Sequence, residues 1–140
     1  MKLLSFLPIF LLVSGISSFT VFRANGTLSC HYDVKWCYSV LLWEKDVDLI
    51  WNNDDLVGVD GIYCILSRDA EYHMDGYQND DGLFDHTYEI FVEVVHNCTE
   101  TGSKKKLTSQ IAYESVHARE SSIAQNFNVT DQGELVAEYF

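Results

Sequence analysis

The chain has 140 residues, 47% hydrophobic and 14% aromatic, with a formal net charge of −12 and a single proline, Pro8. This is one domain's worth of sequence. Its acidity argues against nucleic acid and against simple electrostatic attachment to anionic lipid, and favours solubility or a basic partner.

The first residues, Met1 to Ser18, have one cation at Lys2, an apolar centre and small residues at the end. That layout is a secretory signal peptide with cleavage after Ser17 or Ser18, and the apolar run is too short to span a membrane comfortably. Residues 19–140 are then expected to form a single secreted, extracellular domain, one unit more negative once Lys2 leaves. Four cysteines remain, Cys30, Cys37, Cys64 and Cys98. None has the close spacing of a zinc knuckle or a thioredoxin-like site. In an oxidising compartment they read as two disulfides, and all three connectivities are open.

In chain order, Phe19 to Gly26 reads as a lead-in that turns at Asn25-Gly26-Thr27. Thr27 to Tyr32 is a strand, and Trp36 to Glu44 a second one with two apolar faces. Lys45 to Asp55 is a charged, amide-rich loop. Leu56 to Val59 and Ile62 to Ser67 read as strands joined at Asp60-Gly61, the strongest hairpin signal present. Arg68 to Leu83 is polar, with two Asp/Gly clusters, and reads as a loop. Asp85 to Cys98 is the longest clean strand signal. Alternation sets Ile90, Val92, Val94, His96 and Cys98 on one face, and Phe91, Glu93, Val95 and Asn97 on the other. Thr99 to Lys106 is a turn carrying Lys104-Lys105-Lys106, and Leu107 to Val116 a weak strand. His117 to Asn128 is the only segment that admits a short helix, and Gly133 to Phe140 closes as a strand. Short strands with turn signals and almost no helix predict an antiparallel β-sandwich of two sheets.

These residues resemble the transthyretin-like proteins secreted by nematodes. The likeness rests on Gly26-Thr27-Leu28-Ser29-Cys30, on Val40-Leu41-Leu42-Trp43-Glu44-Lys45-Asp46, on Asp55-Leu56 and on Asp60-Gly61-Ile62-Tyr63-Cys64-Ile65. It continues through Val92-Glu93-Val94-Val95-His96-Asn97-Cys98, which is similar to the family's His-x-Cys signature, then Lys106 to Val116 and Gly133-Glu134-Leu135. Ile90 and Ala112 stand where the family usually has proline, and a further cysteine after the signature is absent, so the chain reads as a divergent member. The resemblance implies a prealbumin-type sandwich, secretion and no general enzymatic activity. The related hydroxyisourate hydrolases end in Tyr-Arg-Gly-Ser, whereas this chain ends Ala137-Glu138-Tyr139-Phe140. Cys30 and Cys98 fall at positions that the family uses, on core-facing parities, which implies their pairing. Cys37 and Cys64 then pair by exclusion.

Asn25, Asn97 and Asn128 each open an acceptor sequon for N-glycosylation, with Asn97 turned outward by alternation. His96 shares the core parity, so a buried structural histidine outweighs a ligand. The other histidines lack metal-site spacing, and no serine sits in a nucleophile elbow. Neither metal nor cofactor is expected. Asp75, Asp80 and Asp81 could ligate calcium only loosely, because Tyr77 stands where an EF-hand aspartate is needed. A solvated acidic loop is the simpler reading. Lys104, Lys105 and Lys106 offer a contact for lipid or glycan, and both loops are expected at one end of the sandwich, as a binding surface. The leading expectation is a secreted, non-enzymatic protein that binds an extracellular protein, a lipid or a small hydrophobic ligand, with room for a homodimer. The alternatives are a hydrolase using His31 and His96, and a structural component of extracellular matrix.

Overall fold

The structure, a computed structural model, describes residues 19–45, 54–79 and 86–137. The expected leader and the aspartates Asp80 and Asp81 lie outside the described residues. Ten strands and no helix organise the rest: β1 (Thr20–Ser29), β2 (Trp36–Glu44), β3 (Asp55–Ile65), β4 (Asp69–Gln78), β5 (Thr87–His96), β6 (Lys105–Thr108), β7 (Ala112–Ser115), β8 (Glu120–Ala124), β9 (Phe127–Asn128) and β10 (Glu134–Leu135). One sheet runs β4-β1-β8, with β9 also against β1. The other runs β10-β6-β5-β2-β3, with β7 also against β5. All pairs are antiparallel except β1 with β8 and with β9.

Period-two alternation explains how the sheets meet. From β1 the residues Phe22, Ala24 and Leu28 turn inward, and from β4 Ala70, Tyr72 and Met74. Facing them are Trp36, Tyr38, Val40 and Leu42 of β2 and Tyr88, Ile90, Val92 and Val94 of β5. All belong to one core cluster. Full burial of a side chain such as Phe22, Leu42 or Ile90 stabilises the fold by about 1.5–3 kcal/mol. The chain is all-β, with two facing sheets and two disulfides.

Several local expectations give way to the sheet. Asp60-Gly61 is no hairpin. β3 passes straight through it, and neither residue has the positive φ that a two-residue hairpin turn of the Asp-Gly type requires. Pairing jumps from Tyr38↔Tyr63 to Val40↔Asp60, so one extra residue of β3 is held there as a β-bulge. Asn25-Gly26 lies within β1, paired with His73 and Tyr72, because that ladder overrides the local turn preference. Residues 69–78 form β4 instead of a loop. Residues 120–124 form β8, parallel to β1, where a helix was admitted. Lys105 and Lys106 open β6 instead of ending a turn, and residues 107–116 divide between β6 and β7.

The sandwich closes on one edge where β3 and β4 come together. A Cβ placed on Gly76 would stand 2.6 Å from Val57 Cγ1 and 2.7 Å from the Val57 carbonyl oxygen. Only glycine admits this approach. At the opposite end the Trp36 indole donates to the Ser67 carbonyl at 2.8 Å, tying the β3–β4 connection down.

Cys30 is bonded to Cys98 across 68 residues of sequence, joining the end of β1 in one sheet to the end of β5 in the other. Cys37 is bonded to Cys64, its directly opposite residue on β3, across 27 residues. A bridge across a longer loop removes more freedom from the unfolded chain. Replacing Cys30 and Cys98 together by alanine is expected to lower the unfolding free energy by about 4 kcal/mol, and replacing Cys37 and Cys64 by about 3.5 kcal/mol. Urea unfolding of both variants checks this, and a larger loss from the Cys37–Cys64 pair would contradict it.

Candidate binding surface

The outer face of the larger sheet carries a concavity. β5 changes partner along its length, pairing with β7 over Thr87–Ile90 and with β6 over Glu93–His96. Between them Ser109 takes over. Its amide donates to the Val92 carbonyl at 2.8 Å, and its hydroxyl accepts from the Val92 amide at 3.0 Å. A side chain thus completes the ladder where the neighbouring strand jogs. The jog opens a groove of about 600 Å³, lined by Lys45, Asp54, Phe91, Glu93, Lys106 and Tyr113 among others.

The groove mixes apolar surface with fixed charge. Phe91 and Glu93 face outward by alternation, and Tyr113 is 66% exposed. Glu93 is buried, and the Lys106 ammonium lies 3.4 Å from its carboxylate. The ammonium offsets part of the cost of enclosing a carboxylate there. Trp43 is the cross-strand partner of Phe91 on the same face. Its Nε1 is enclosed and makes no hydrogen bond, and the same holds for Asp54 Oδ1. One donor and one acceptor beside the groove are therefore unmatched among the described residues. Each such group costs about 1–3 kcal/mol.

Of the described residues expected from sequence, Lys106 alone lines this groove. Lys105 donates to the Asp131 carbonyl at 2.6 Å, Lys106 holds Glu93, and Lys104 is half-buried. The three lysines are thus built into the fold. Asp75 lies on β4 and faces Arg23, whose Nε is 3.5 Å away. Chain direction puts Asp75 at the opposite end of the sandwich from Lys104 and Lys105, because β4 runs away from the end where β5 finishes. The two stretches therefore do not share the expected binding end. Among the described residues no group of three or more His, Cys, Asp or Glu side chains gathers as a metal site, and no helix is long and apolar enough to cross a membrane.

His96 is fully enclosed beside the Cys30–Cys98 bridge, and His31 is exposed. The His96 Nε2 lies 3.1 Å from the Gln132 carbonyl and donates to it, which leaves Nδ1 as an acceptor with no partner. Burial pushes its pKa down to about 4 from 6.5. Asp131, which sequence reasoning passed over, clasps the same end. It is the one non-glycine residue described with positive φ, at 56°. Its carboxylate accepts hydrogen bonds from the Tyr32 hydroxyl and from the Glu100 amide, the latter at 2.9 Å. These bonds, Tyr32's first, hold its carboxyl below the usual range. The letters Thr130-Asp131-Gln132-Gly133 were a turn signal that pointed to this place.

The sequons differ in freedom. Asn25 is exposed on β1. Asn128 is exposed too, and its side-chain oxygen accepts from the Thr130 amide at 3.1 Å. Asn97 is half-buried, with its side-chain oxygen accepting from the Cys37 amide at 2.7 Å.

Residues 25–137 match the model of a family described as Caenorhabditis elegans protein of unknown function (DUF870). The chain belongs to this family. It is also similar to Uncharacterized protein B0416.7 of Caenorhabditis elegans, with 31% identity over 78 residues, which is 56% of this chain and 55% of that protein. The match thus spans about half the length of that relative. No solved structure matches. The DUF870 match contains every strand from β2 to β10, and hence the whole groove.

Two outcomes follow for this DUF870 member. Glycosidase treatment of the protein produced through a eukaryotic secretory pathway is expected to lower its mass, and Asn25→Gln to remove more of that change than Asn97→Gln; equal shifts would contradict the ranking. Between pH 6.5 and pH 4 the unfolded chain protonates His96 and the folded chain does not. Stability is therefore full above pH 6.5 and falls as the pH drops, by up to about 3 kcal/mol from this group. Denaturant titrations at pH 7 and pH 4.5 should show a shallower loss in His96→Gln than in wild type; parallel losses would exclude the imidazole as the cause.

Proposed function

We propose that this protein is a secreted, non-enzymatic binding protein on a transthyretin-like sandwich, and that the outer groove holds a small amphipathic ligand. The observation that carries the reading is the groove itself, a preformed concavity whose walls combine apolar surface with an unmatched acceptor, Asp54 Oδ1. Its volume lies in the range of about 300–1,000 Å³ usual for small-molecule sites. The apolar body of a ligand would rest against Phe91 and Tyr113, and a polar end carrying a hydrogen-bond donor would answer Asp54 Oδ1. Lys45 and Lys106 are balanced in the lining by Asp54 and Glu93, which favours an uncharged polar end over an ionic one.

Secretion is supported by the two disulfides, which persist in oxidising compartments. The transthyretin-like reading is supported by the sandwich of two sheets and by the His96-x-Cys98 strand end. The hydrolase alternative has less support, since His96 is enclosed and its Nε2 is committed to a backbone carbonyl.

Titration of the purified protein with long-chain alcohols and phenols, followed by its tryptophan fluorescence, tests the reading. Saturable binding of at least one of these is expected. Phe91→Ala and Tyr113→Ala should each weaken it about tenfold, the effect of losing about 1.4 kcal/mol of contact. Binding that ignores both substitutions would contradict the groove as the site.

A further inference from the structure

We infer that the free edge of β3, Val59–Ile65, is a docking strand for an extended, basic segment of an extracellular partner. The edge is available because β3 is the last strand of the larger sheet and pairs with β2 alone. Its first half is closed off by β4, through the close approach of Gly58 and Gly76 and the hydrogen bond from Gln78 to Asp55 at 3.2 Å. Its second half has no such cover among the described residues.

Exposed edges in native sheets are usually blunted by lysine, proline or covering structure. Asp55–Ile65 contains neither lysine nor proline. It shows solvent Val59 at 58%, Ile62 at 57% and Tyr63 at 46% exposure. The edge is also rigid, because the Cys37–Cys64 bridge and the Trp36↔Ile65 pair hold it to β2. A strand added to it would not have to order its template first.

The register says what the partner must carry. The bulge places Asp60 and Tyr63 against Val40 and Tyr38, hence on one face, and the Tyr63 hydroxyl donates to Asp60 Oδ1 at 3.0 Å. A carboxylate beside an exposed phenol ring recognises lysine or arginine by charge and by the ring face. Val59 and Cys64 lie on the other face, paired with Leu41 and Cys37, and take an apolar side chain. The partner therefore alternates basic and apolar residues. A second copy of this chain fits less well. Val59–Ile65 has one carboxylate, Asp60, and no cation, and each copy bears a formal charge of −12 with Lys2 still counted.

This docking strand is separate from the outer groove, and the two stand or fall independently. The test uses the full secreted protein and two blocked synthetic octapeptides, (Lys-Val)4 and (Glu-Val)4, with amide hydrogen exchange read by mass spectrometry. The Lys-Val peptide should slow exchange over residues 59–65 about tenfold and saturably, and the Glu-Val peptide should not. Ile62→Pro, placed in the bulge and outside the register with β2, should abolish the protection. Asp60→Lys, which asks nothing of the backbone, should reverse the preference in favour of Glu-Val. Protection that maps elsewhere, equal protection by both peptides, or Asp60→Lys with unchanged preference would overturn the proposal. So would a dimer in sedimentation whose residues 59–65 are already protected without peptide.

Discussion

The register of β2 against β5 is the constraint on which the rest of the molecule depends. Leu42 opposite Val92 and Val40 opposite Val94 put the core residues of the two central strands on the same face. A slip of one residue would exchange every inward side chain for an outward one. Tyr88, Ile90, Val92 and Val94 would then meet water, and Phe91, Glu93 and Val95 would enter the core. With the register fixed, His96 and Cys98 must follow the core parity. Cys98 can then reach Cys30 in the facing sheet, and His96 is shut beside that bridge.

The same register creates the surfaces assigned here. Outward parity sets Phe91 and Glu93 beside Trp43, and the jog at Ser109 leaves space above them. Glu93 is held in a largely enclosed position by Lys106, so the groove has a fixed polar wall that does not depend on a mobile loop. At the end where β5 finishes, Asp131 ties Tyr32, Glu100 and Lys105 together around the Cys30–Cys98 bridge. A left-handed backbone at an aspartate costs about 1–2 kcal/mol. Its several hydrogen bonds offset that and close the sandwich over His96.

Strands with bulky, β-branched alternation were legible in the sequence. β2 spans Trp36–Glu44 as read, and β5 lies within the stretch read from Asp85 to Cys98. β4 was not legible, although Ala70, Tyr72, Met74 and Gly76 alternate cleanly with polar residues. Three of its four inward positions are Ala70, Met74 and Gly76, the last required by the approach of Val57, and these carry little strand signal. Asp60-Gly61 misled because a turn dipeptide is a local preference, while β2 offers β3 a continuous ladder on both sides of the bulge. β8 is held by parallel pairing with β1, almost a hundred residues away, which no local pattern encodes. Of the candidate site, the outward parity of Phe91 and Glu93 was on the page from the start. The jog at Ser109 and the position of Tyr113 were not, because they depend on how two short strands share one neighbour.

A crystal structure of the protein purified from its native source addresses the central claim most directly. The account predicts an elongated molecule lying between Phe91 and Tyr113, with its polar end within hydrogen-bond reach of Asp54 Oδ1. A groove filled only by solvent, with Asp54 satisfied by the chain's own residues, would contradict it.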